Sequence, residues 1–270
     1  MRFFSIFIST ACLGKDKTDL DNPNDTNNND SSTIEDEIAM EKLFVIPERP
    51  FDMTWDSDGT MLISADASGK LYRWDGTELT EQVGRYNDIQ AVHVVESTFF
   101  YTTTDNGVTG ALYALSSEPL LTQSSDGTLL RWPVDITSTP DGTILIADYN
   151  AGVVFSYNTD GTSNLYSVGS QTPQALTMLD DMLYIGGEDG IWKKEWPNGI
   201  ATQIDDRQAN GLVTSNGVVY ASNSQDGVFI VQGNTYPLPN EIGRPSALLI
   251  KENVLYVIDQ VGRGVWASEL

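Results

Sequence analysis

Short apolar segments separated by turn residues follow one another from about residue 41 to the last residue of the chain. Segments such as "TMLISAD" at 60–66, "TILIADY" at 143–149 and "NVLYVID" at 253–259 are rich in β-branched and aromatic residues. Each is followed by a turn and a second apolar segment, as in "KLYRW" and "GVVFSY". Runs of this length between Gly, Asn and Asp residues are typical of β-strands joined by hairpins. The pattern predicts an all-β body.

These strand pairs repeat along the chain with a roughly constant period. When the segment before each hairpin is aligned, one register position is occupied by Asp52, Gln90, Asp135, Ala175, Gly211 and Ala247. The spacings are 38, 45, 40, 36 and 36 residues. Repeats of about 40 residues with four strands each are the sequence pattern of a β-propeller. We therefore predict a six-bladed β-propeller of four-stranded blades over residues 41–270.

The last repeat has no outer strand before the chain reaches Leu270. The segment "EKLFVIP" at 41–47 is apolar and stands in front of the first repeat. If it pairs beside the last strand, the ring is closed and an edge that invites aggregation is removed. We predict that this N-terminal strand completes the sixth blade.

The tripeptide Asp-Gly-Thr occurs five times, at 58–60, 75–77, 126–128, 141–143 and 160–162. Gly accepts the positive φ that a hairpin requires, and Asp bonds to the backbone of its own turn. The repetition therefore predicts a shape and not an active site.

The first forty residues have a different composition. Met1-Arg2, the apolar run at 3–8 and the small residues before Cys12 resemble a bacterial lipoprotein signal, which implies lipid attachment at Cys12. Residues 13–40 are rich in Asp, Asn, Ser and Thr, so they cannot offset their own ordering entropy. We predict a signal peptide at 1–12, a disordered acidic tether at 13–40 and the propeller at 41–270. The expected location is extracytoplasmic and membrane-anchored, at the outer membrane, cell surface or periplasm.

The charge of the chain limits its partners. There are 38 acidic and 15 basic residues, a formal net charge of -23. Nucleic acid is excluded, because its binding depends on Lys and Arg that neutralise phosphates. We expect a monomer that contacts the membrane only through its lipid anchor and whose partner is a protein, a glycan or a small molecule. The alternative is an acidic surface that serves solubility alone.

A propeller brings several of these polar side chains to one face. The loop entering each inner strand and the loop leaving each second strand lie on the same side of the disc, around the mouth of the central channel. The predicted ligand-binding face consists of Asp52, Asp66, Arg131, Trp132, Asp148, Glu188 and Asp259. A rim dense in negative charge attracts cations. The alternative for Asp66, Asp148 and Asp259 is a structural role, in which the carboxylate binds turn amides.

The sequence pattern of the repeats has Pro-x-Asp before a strand, Asp-Gly in the turn and Asp after the next strand. It resembles the six-bladed propellers of the NHL-repeat and gluconolactonase-like (senescence-marker) superfamily over about residues 41–270. The fragments at 48–50, 85–88 and 209–212 are similar to metal-binding motifs of the gluconolactonase-like enzymes. The resemblance implies a calcium ion held by Glu48, Asn87, Asp135 and Asn210. The chain departs from the family in that Asp135 precedes Asn210.

Other catalytic classes lack their residues. His93 is the single histidine and alternates with apolar residues in "QAVHVVE", which is typical of an ordinary strand side chain. Cys12 is the single cysteine, and the chain has neither a Gly-x-Ser-x-Gly elbow nor a Gly-rich phosphate loop.

Two functions remain. The preferred prediction is a lipid-anchored extracytoplasmic propeller that binds a ligand or protein partner on its acidic channel face without catalysis. The alternative is a calcium-dependent lactonase or esterase, in which the metal polarises the carbonyl and Asp135 activates water as the catalytic residue.

Overall fold

The computed structural model describes residues 39–65, 69–82, 88–114, 118–236 and 238–270. Within these ranges the chain forms β-strands and turns and contains no helix. The described residues therefore include no helix that could cross a membrane. The expectation of an all-β chain is confirmed. The predicted signal, tether and Cys12 lie outside the described residues.

The strands have the following bounds, in chain order. They are β1 Glu41–Val45, β2 Pro50–Trp55, β3 Met61–Ala65, β4 Lys70–Trp74, β5 Leu79–Gln82, β6 Ile89–Val95, β7 Thr98–Asp105, β8 Thr109–Tyr113, β9 Pro133–Ser138, β10 Ile144–Asp148, β11 Val153–Tyr157, β12 Ser163–Tyr166, β13 Pro173–Leu179, β14 Met182–Gly187, β15 Gly190–Glu195, β16 Thr202–Asp205, β17 Gly211–Ser215, β18 Val218–Asn223, β19 Gly227–Ile230, β20 Thr235–Tyr236, β21 Pro245–Lys251, β22 Val254–Asp259 and β23 Gly264–Glu269.

These strands form six antiparallel sheets, which are the six blades. Blade 1 is β2–β5, blade 2 is β6–β8, blade 3 is β9–β12, blade 4 is β13–β16 and blade 5 is β17–β20. Blade 6 has the order β1-β23-β22-β21. The inner strands contact one another in the sequence β2, β6, β9, β13, β17, β21 and back to β2, which closes a ring. The predicted six-bladed propeller is confirmed.

The N-terminal strand closes the ring as predicted. β1 pairs with β23, with Glu41 opposite Ala267 and Val45 opposite Gly264. The Ile46 N–H then donates to the Arg263 carbonyl at 2.7 Å, and the Ile46 side chain is fully buried in the core between blades 6 and 1. The last blade therefore depends on both ends of the described chain.

Blade 2 differs from the prediction of four strands. Its sheet has three strands, and two isolated bridges, Leu112–Leu121 and Gln123–Leu129, stand in the place of a fourth. Leu121 and Leu130 are buried in the core beside Leu112, so the segment packs on the blade without forming a regular strand. The reason is local, because this segment makes its own turn at 124–128, where the Ser124 N–H donates to the Thr128 carbonyl.

The Asp-Gly-Thr tripeptides all lie in turns. Their glycines have φ between 85° and 99°, which is the left-handed region that favours glycine. In the turn at 58–60, for example, the Asp58 Oδ1 accepts the Thr60 N–H at 3.1 Å. The repeated tripeptide therefore has a structural role, which is to form these turns.

The inner strands carry a β-bulge near their starts in five of the six blades, since the pairing shifts register in β2, β6, β9, β13 and β21. The equivalent of Asp52 in blade 2 is Ala91, not Gln90. The N–H groups of Asp52 and Ala91 bond the Ser64 and Thr102 hydroxyls in the same way. A bulge adds a residue and breaks the alternation of side chains, so sequence pattern alone misplaced this register by one.

Candidate functional site

A cavity of about 300 Å³ opens where the inner strands begin, at the mouth of the central channel. This volume is at the lower end of the range for small-molecule sites. Its walls come from the inner-strand starts of blades 1, 3, 4, 5 and 6 and from the loops beside them. The lining residues are Arg49, Phe51, Asp52, Trp132, Val134, Asp135, Tyr149, Gln174, Glu188, Asn210, Gly211, Leu212, Arg244, Ser246, Ala247, Leu248 and Gln260.

Asp52 lies in the β2 bulge with 8% of its surface exposed. Its Oδ1 accepts the Met53 N–H at 2.8 Å, and its Oδ2 accepts the Val92 N–H of blade 2, also at 2.8 Å. Burial raises the pKa of Asp52 to about 7, although the two backbone N–H donors act in the opposite direction. Asp52 therefore titrates near neutral pH.

Asp135 occupies the equivalent position in blade 3. Its Oδ1 accepts the Ile136 N–H at 2.8 Å, and its Oδ2 accepts the Leu176 N–H of blade 4 at 2.5 Å. Burial, and then the negative charge of Asp52, raise the pKa of Asp135 well above its usual value. The two carboxyl groups thus make the same bond to the next blade and influence each other's ionisation.

Small residues at the same position open the space between these carboxyl groups. Blades 2, 4, 5 and 6 have Ala91, Ala175, Gly211 and Ala247 there. At Gly211 an added Cβ would lie 2.9 Å from the Ser222 Oγ and 3.0 Å from the Ser246 carbonyl oxygen, so no larger residue fits without a shift. Two carboxyl groups among small neighbours form the floor of the cavity.

An aromatic wall lies along blade 3. The Trp132 and Tyr149 rings meet edge to face with centroids 5.4 Å apart, and Phe51 packs on the same core cluster. The Trp132 Nε1 donates to the Gln90 Oε1 at 3.3 Å, and the Tyr149 hydroxyl donates to the Glu188 Oε1 at 2.8 Å. This hydrogen bond raises the pKa of Tyr149. Both rings are therefore held in place by polar partners at the rim.

Two arginines lie on the blade 6 and blade 1 side of the cavity. The Arg49 Nη2 donates to the Gln260 Oε1 at 3.1 Å. Within the described part of the chain, the Arg244 side chain makes no hydrogen bond or ion pair. The mouth thus carries the cationic groups of Arg49 and Arg244 as well as carboxyl groups, whereas the sequence predicted a rim dense in negative charge with Arg131 as its basic residue.

The structure places the predicted ligand-binding residues in different surroundings. Asp52, Trp132 and Glu188 line the cavity, whereas Arg131, Asp148 and Asp259 are not among its described lining residues. Asp66 lies outside the described residues.

Asp148 and Asp259 are both fully buried. Asp148 accepts the N–H groups of Arg131, Trp132 and Ala151. The Asp259 Oδ1 accepts those of Gly243, Arg244 and Val261. These two carboxylates hold loops that surround the mouth.

Of the four residues implied for calcium, three are described, and they do not all line the cavity. Asp135 and Asn210 line the cavity, but both Asp135 oxygens accept backbone N–H groups and the Asn210 Oδ1 accepts the Gln208 Nε2 at 3.1 Å. Glu48 is outside the lining and pairs with Lys70 at 2.7 Å. Asn87 lies outside the described residues. In the described part of the chain no group of three His, Cys, Asp or Glu residues is arranged to hold a metal ion, so Glu48, Asp135 and Asn210 do not by themselves form the shell of six to eight oxygen ligands that calcium takes.

Several lining residues were not predicted as ligand-binding residues, notably Arg49, Arg244, Phe51, Tyr149 and Gln260. A signal for the arginines was available, because "RPFDMTW" and "RPSALLI" place both directly before the proline of an aligned inner strand. The other three are ordinary strand or loop residues, whose sequence context carries no mark of a site.

The chain is similar to known proteins in its fold and not in its sequence. No family model matches the chain, and no curated protein sequence matches it significantly. Among solved structures, a protein provisionally named a gluconolactonase has a TM-score of 0.68 at 17% identity, covering 86% of this chain and 92% of that one. The chain shares the fold of that protein.

Two further structures have the same architecture. A gluconolactonase from Xanthomonas campestris has a TM-score of 0.67 at 16% identity, covering 86% of this chain and 89% of that one. A virginiamycin B lyase from Staphylococcus aureus, a catalytically inactive histidine-to-alanine variant with quinupristin, has a TM-score of 0.60 at 11% identity. That match covers 87% of this chain and 100% of the other.

These similarities correct the preferred functional prediction. The sequence favoured a propeller that binds without catalysis, whereas the named structural neighbours are gluconolactonases and a lyase. The alternative prediction, a lactonase-type enzyme, agrees better with them. The preference for binding without catalysis rested on the incomplete set of calcium ligands and on the predicted tether. The first bears on a metal mechanism and the second on location, and neither bears on catalysis as such.

Proposed function

We propose that this protein hydrolyses lactones or small esters in the channel-mouth cavity by acid–base catalysis. One observation carries the proposal, the pair of carboxyl groups of Asp52 and Asp135 on the cavity floor, whose pKa values are both raised. Coupled carboxyl groups of this kind, buried in a cleft, are typical of catalytic sites. The named gluconolactonases of the same fold support the choice of substrate class.

The raised pKa values assign a role to each carboxyl group. Burial and the negative charge of Asp52 both oppose the ionisation of Asp135 and raise its pKa well above the usual value. We assign the first ionisation to Asp52, whose pKa is about 7, because its charge is one of the causes that raise the pKa of Asp135. Asp52 is therefore the general base and Asp135 the general acid. The sequence assigned the base to Asp135, but it could not show that a second carboxyl group would share the cavity.

The reaction then proceeds in two proton transfers. Asp52 removes a proton from a water molecule, whose oxygen forms a bond to the carbonyl carbon of the lactone or ester. The bond to the leaving oxygen breaks as Asp135 gives that oxygen its proton, so a hydroxyl and a carboxylic acid are released. Exchange with solvent returns the proton from Asp52 and reprotonates Asp135. General acid–base catalysis of this kind contributes roughly 100- to 10,000-fold to the rate.

Histidine-dependent lyase chemistry has less support. The lyase of this fold is inactive as a histidine-to-alanine variant. The single histidine here, His93, lies in β6 with its Nε2 3.0 Å from the Ser138 Oγ, and it is not among the described lining residues. The groups that line this cavity favour hydrolysis by carboxylic acids.

The test compares three matched Asp→Asn variants in a pH-stat assay with γ- and δ-lactones and p-nitrophenyl esters. We expect Asp52→Asn and Asp135→Asn each to lower kcat at least about 100-fold, as for loss of a general acid or base. Asp160→Asn, in an exposed turn, should retain the wild-type rate. For the wild type, kcat/KM should rise with an apparent pKa of about 7 and fall at higher pH as the second carboxyl group ionises. Hydrolysis that survives both substitutions would refute the proposal.

A further inference from the structure

Arg49 and Arg244 occupy the same position in two neighbouring blades. Each directly precedes the proline that begins its inner strand, Pro50 of β2 or Pro245 of β21. Trp132 has this position in blade 3, before Pro133, and all three residues line the cavity. A residue before proline is held in an extended conformation. In these three blades the residue before the proline lies at the mouth, whereas Thr172, before Pro173 of β13, is not among the described lining residues.

Gln260 forms hydrogen bonds with both arginines, through the side chain of Arg49 and the backbone of Arg244. Gln260, which is 4% exposed, accepts the Arg49 Nη2 with its Oε1, and its backbone N–H donates to the Arg244 carbonyl at 3.0 Å. The Arg244 N–H donates to the buried Asp259 Oδ1 at 3.1 Å. The backbone that carries Arg244 is thus anchored, while its side chain faces the cavity with no described partner.

The charge balance of the cavity favours an anion on this side. Besides the arginines, the described part of its lining has three carboxyl groups, Asp52, Asp135 and Glu188. Glu188, on blade 4, accepts the Tyr149 hydroxyl, and the first two have raised pKa values. The net charge of -23 repels anions at long range, but salt screens that repulsion beyond about 10 Å at 0.1 M ionic strength. Direct contact with two guanidinium groups is not screened in this way.

We propose that Arg49 and Arg244 bind a carboxylate of the substrate, so that the protein acts on lactones or esters that carry a carboxylate group. Guanidinium groups present paired N–H donors that match the two oxygens of a carboxylate. Blade 6 lies across a six-bladed ring from blade 3, so the apolar part of the ligand faces Trp132 and Tyr149 while its carboxylate meets the arginines. The bond to be hydrolysed then lies over Asp52 and Asp135. This assignment of substrate class rests on the proposed function.

Binding is tested first with a pair of probes that cannot be hydrolysed, cyclopentanecarboxylate and cyclopentanecarboxamide, titrated into the full chain by NMR. They have nearly the same shape and differ in charge. We expect the carboxylate to bind at least tenfold more tightly than the amide. Arg49→Gln and Arg244→Gln should each weaken carboxylate binding at least tenfold and leave amide binding unchanged.

Arg73→Gln is the matched control, because it removes the same charge from an arginine that pairs with Asp56 and Asp58 on the outer part of blade 1. It should bind both probes like the wild type. Arg244→Lys keeps the charge and loses the paired donors, so it should bind the carboxylate with intermediate affinity. Equal binding of the two probes by the wild type would overturn the inference without any variant.

Turnover separates this inference from the proposed function. The substrates are 5-oxotetrahydrofuran-2-carboxylate and its carboxamide, which share one lactone ring. We expect KM for the carboxylate to rise at least tenfold in the arginine variants with a smaller change in kcat. Hydrolysis of both lactones without preference would overturn the carboxylate site and leave the hydrolase proposal intact. Arginine-dependent binding of cyclopentanecarboxylate without hydrolysis of either lactone would support the carboxylate site and overturn the hydrolase proposal.

Discussion

His93 shows how burial changes the chemistry of a single side chain. It lies in β6 beside Ser138, and desolvation lowers its pKa from 6.5 to about 4. The folded protein therefore holds the imidazole neutral, while the unfolded chain takes up a proton as the pH falls through about 6.5. The stability associated with this group is complete above that pH, decreases as the pH falls from 6.5 to 4, and is constant below.

We predict that His93→Gln, which keeps a polar group near Ser138, is less sensitive to acid than the wild type. Between pH 7 and pH 5 the wild type should lose about 1–2 kcal/mol more unfolding free energy than the variant, after allowing for the partial exposure of the ring. Urea unfolding at both pH values measures the difference. Comparing the two proteins at each pH cancels the contribution of Asp52 and Asp135, whose raised pKa values act in the opposite direction. Parallel pH profiles would contradict the prediction.

For individual residues, the repeat register placed two carboxyl groups at the channel mouth. Asp52 and Asp135 were singled out because they share a register position, and both line the cavity. Asp148 and Asp259 were predicted at the same face from their places at strand ends, but both turn inward to bind loop amides. The direction of a strand-end side chain depends on the loop that follows it, and that loop is shaped by contacts distant in sequence. The two Asp residues therefore fit the structural alternative.

At the scale of elements, the strands followed from local pattern, since alternating and β-branched segments specify strands wherever turns bound them. The closing strand also followed, because an unpaired edge is unfavourable in a closed ring. Local pattern did not predict the bulges in the inner strands or the irregular outer part of blade 2. Both depend on how one blade packs against the next, which a period of about 40 residues leaves undetermined.

The closing strand provides the prediction at this scale. A chain that begins at residue 39 keeps β1 and the fully buried Ile46, whereas a chain that begins at residue 47 loses both. Removal of a buried Ile side chain alone costs about 2–5 kcal/mol, and the shorter chain also exposes the edge of β23. We expect it to have a Tm lower by on the order of 10 °C and to aggregate in light scattering.

The chain that begins at residue 39 is the control and should unfold at the same Tm as the full chain. If the chain beginning at residue 47 unfolded at that temperature as well, β1 would not be required to close the ring. A third variant, Ile46→Ala in the full chain, separates the loss of core packing from the loss of the strand.

Across the whole molecule, charge and site chemistry are separate properties. The chain has a net charge of -23, yet the cavity contains two arginines and two carboxyl groups that resist ionisation. The acidity that suggested a cation-binding face thus belongs largely to the rest of the molecule. Excess charge of one sign destabilises a compact state through self-repulsion, and salt screens it.

We therefore predict that NaCl stabilises the protein and that calcium adds nothing specific. Raising NaCl from 0.01 M to 0.3 M should increase the Tm by on the order of 2–4 °C, as expected for about 1 kcal/mol in a protein of this size. In 0.3 M NaCl after treatment with a chelator, 2 mM CaCl2 and 2 mM MgCl2 should give the same Tm, because Glu48 pairs with Lys70 and the Asp135 oxygens bind backbone N–H groups. A ligand that binds only the folded state raises stability in a saturable way. A saturable shift with calcium that Asn210→Ala abolishes would contradict this prediction and support the calcium site that the sequence motifs imply.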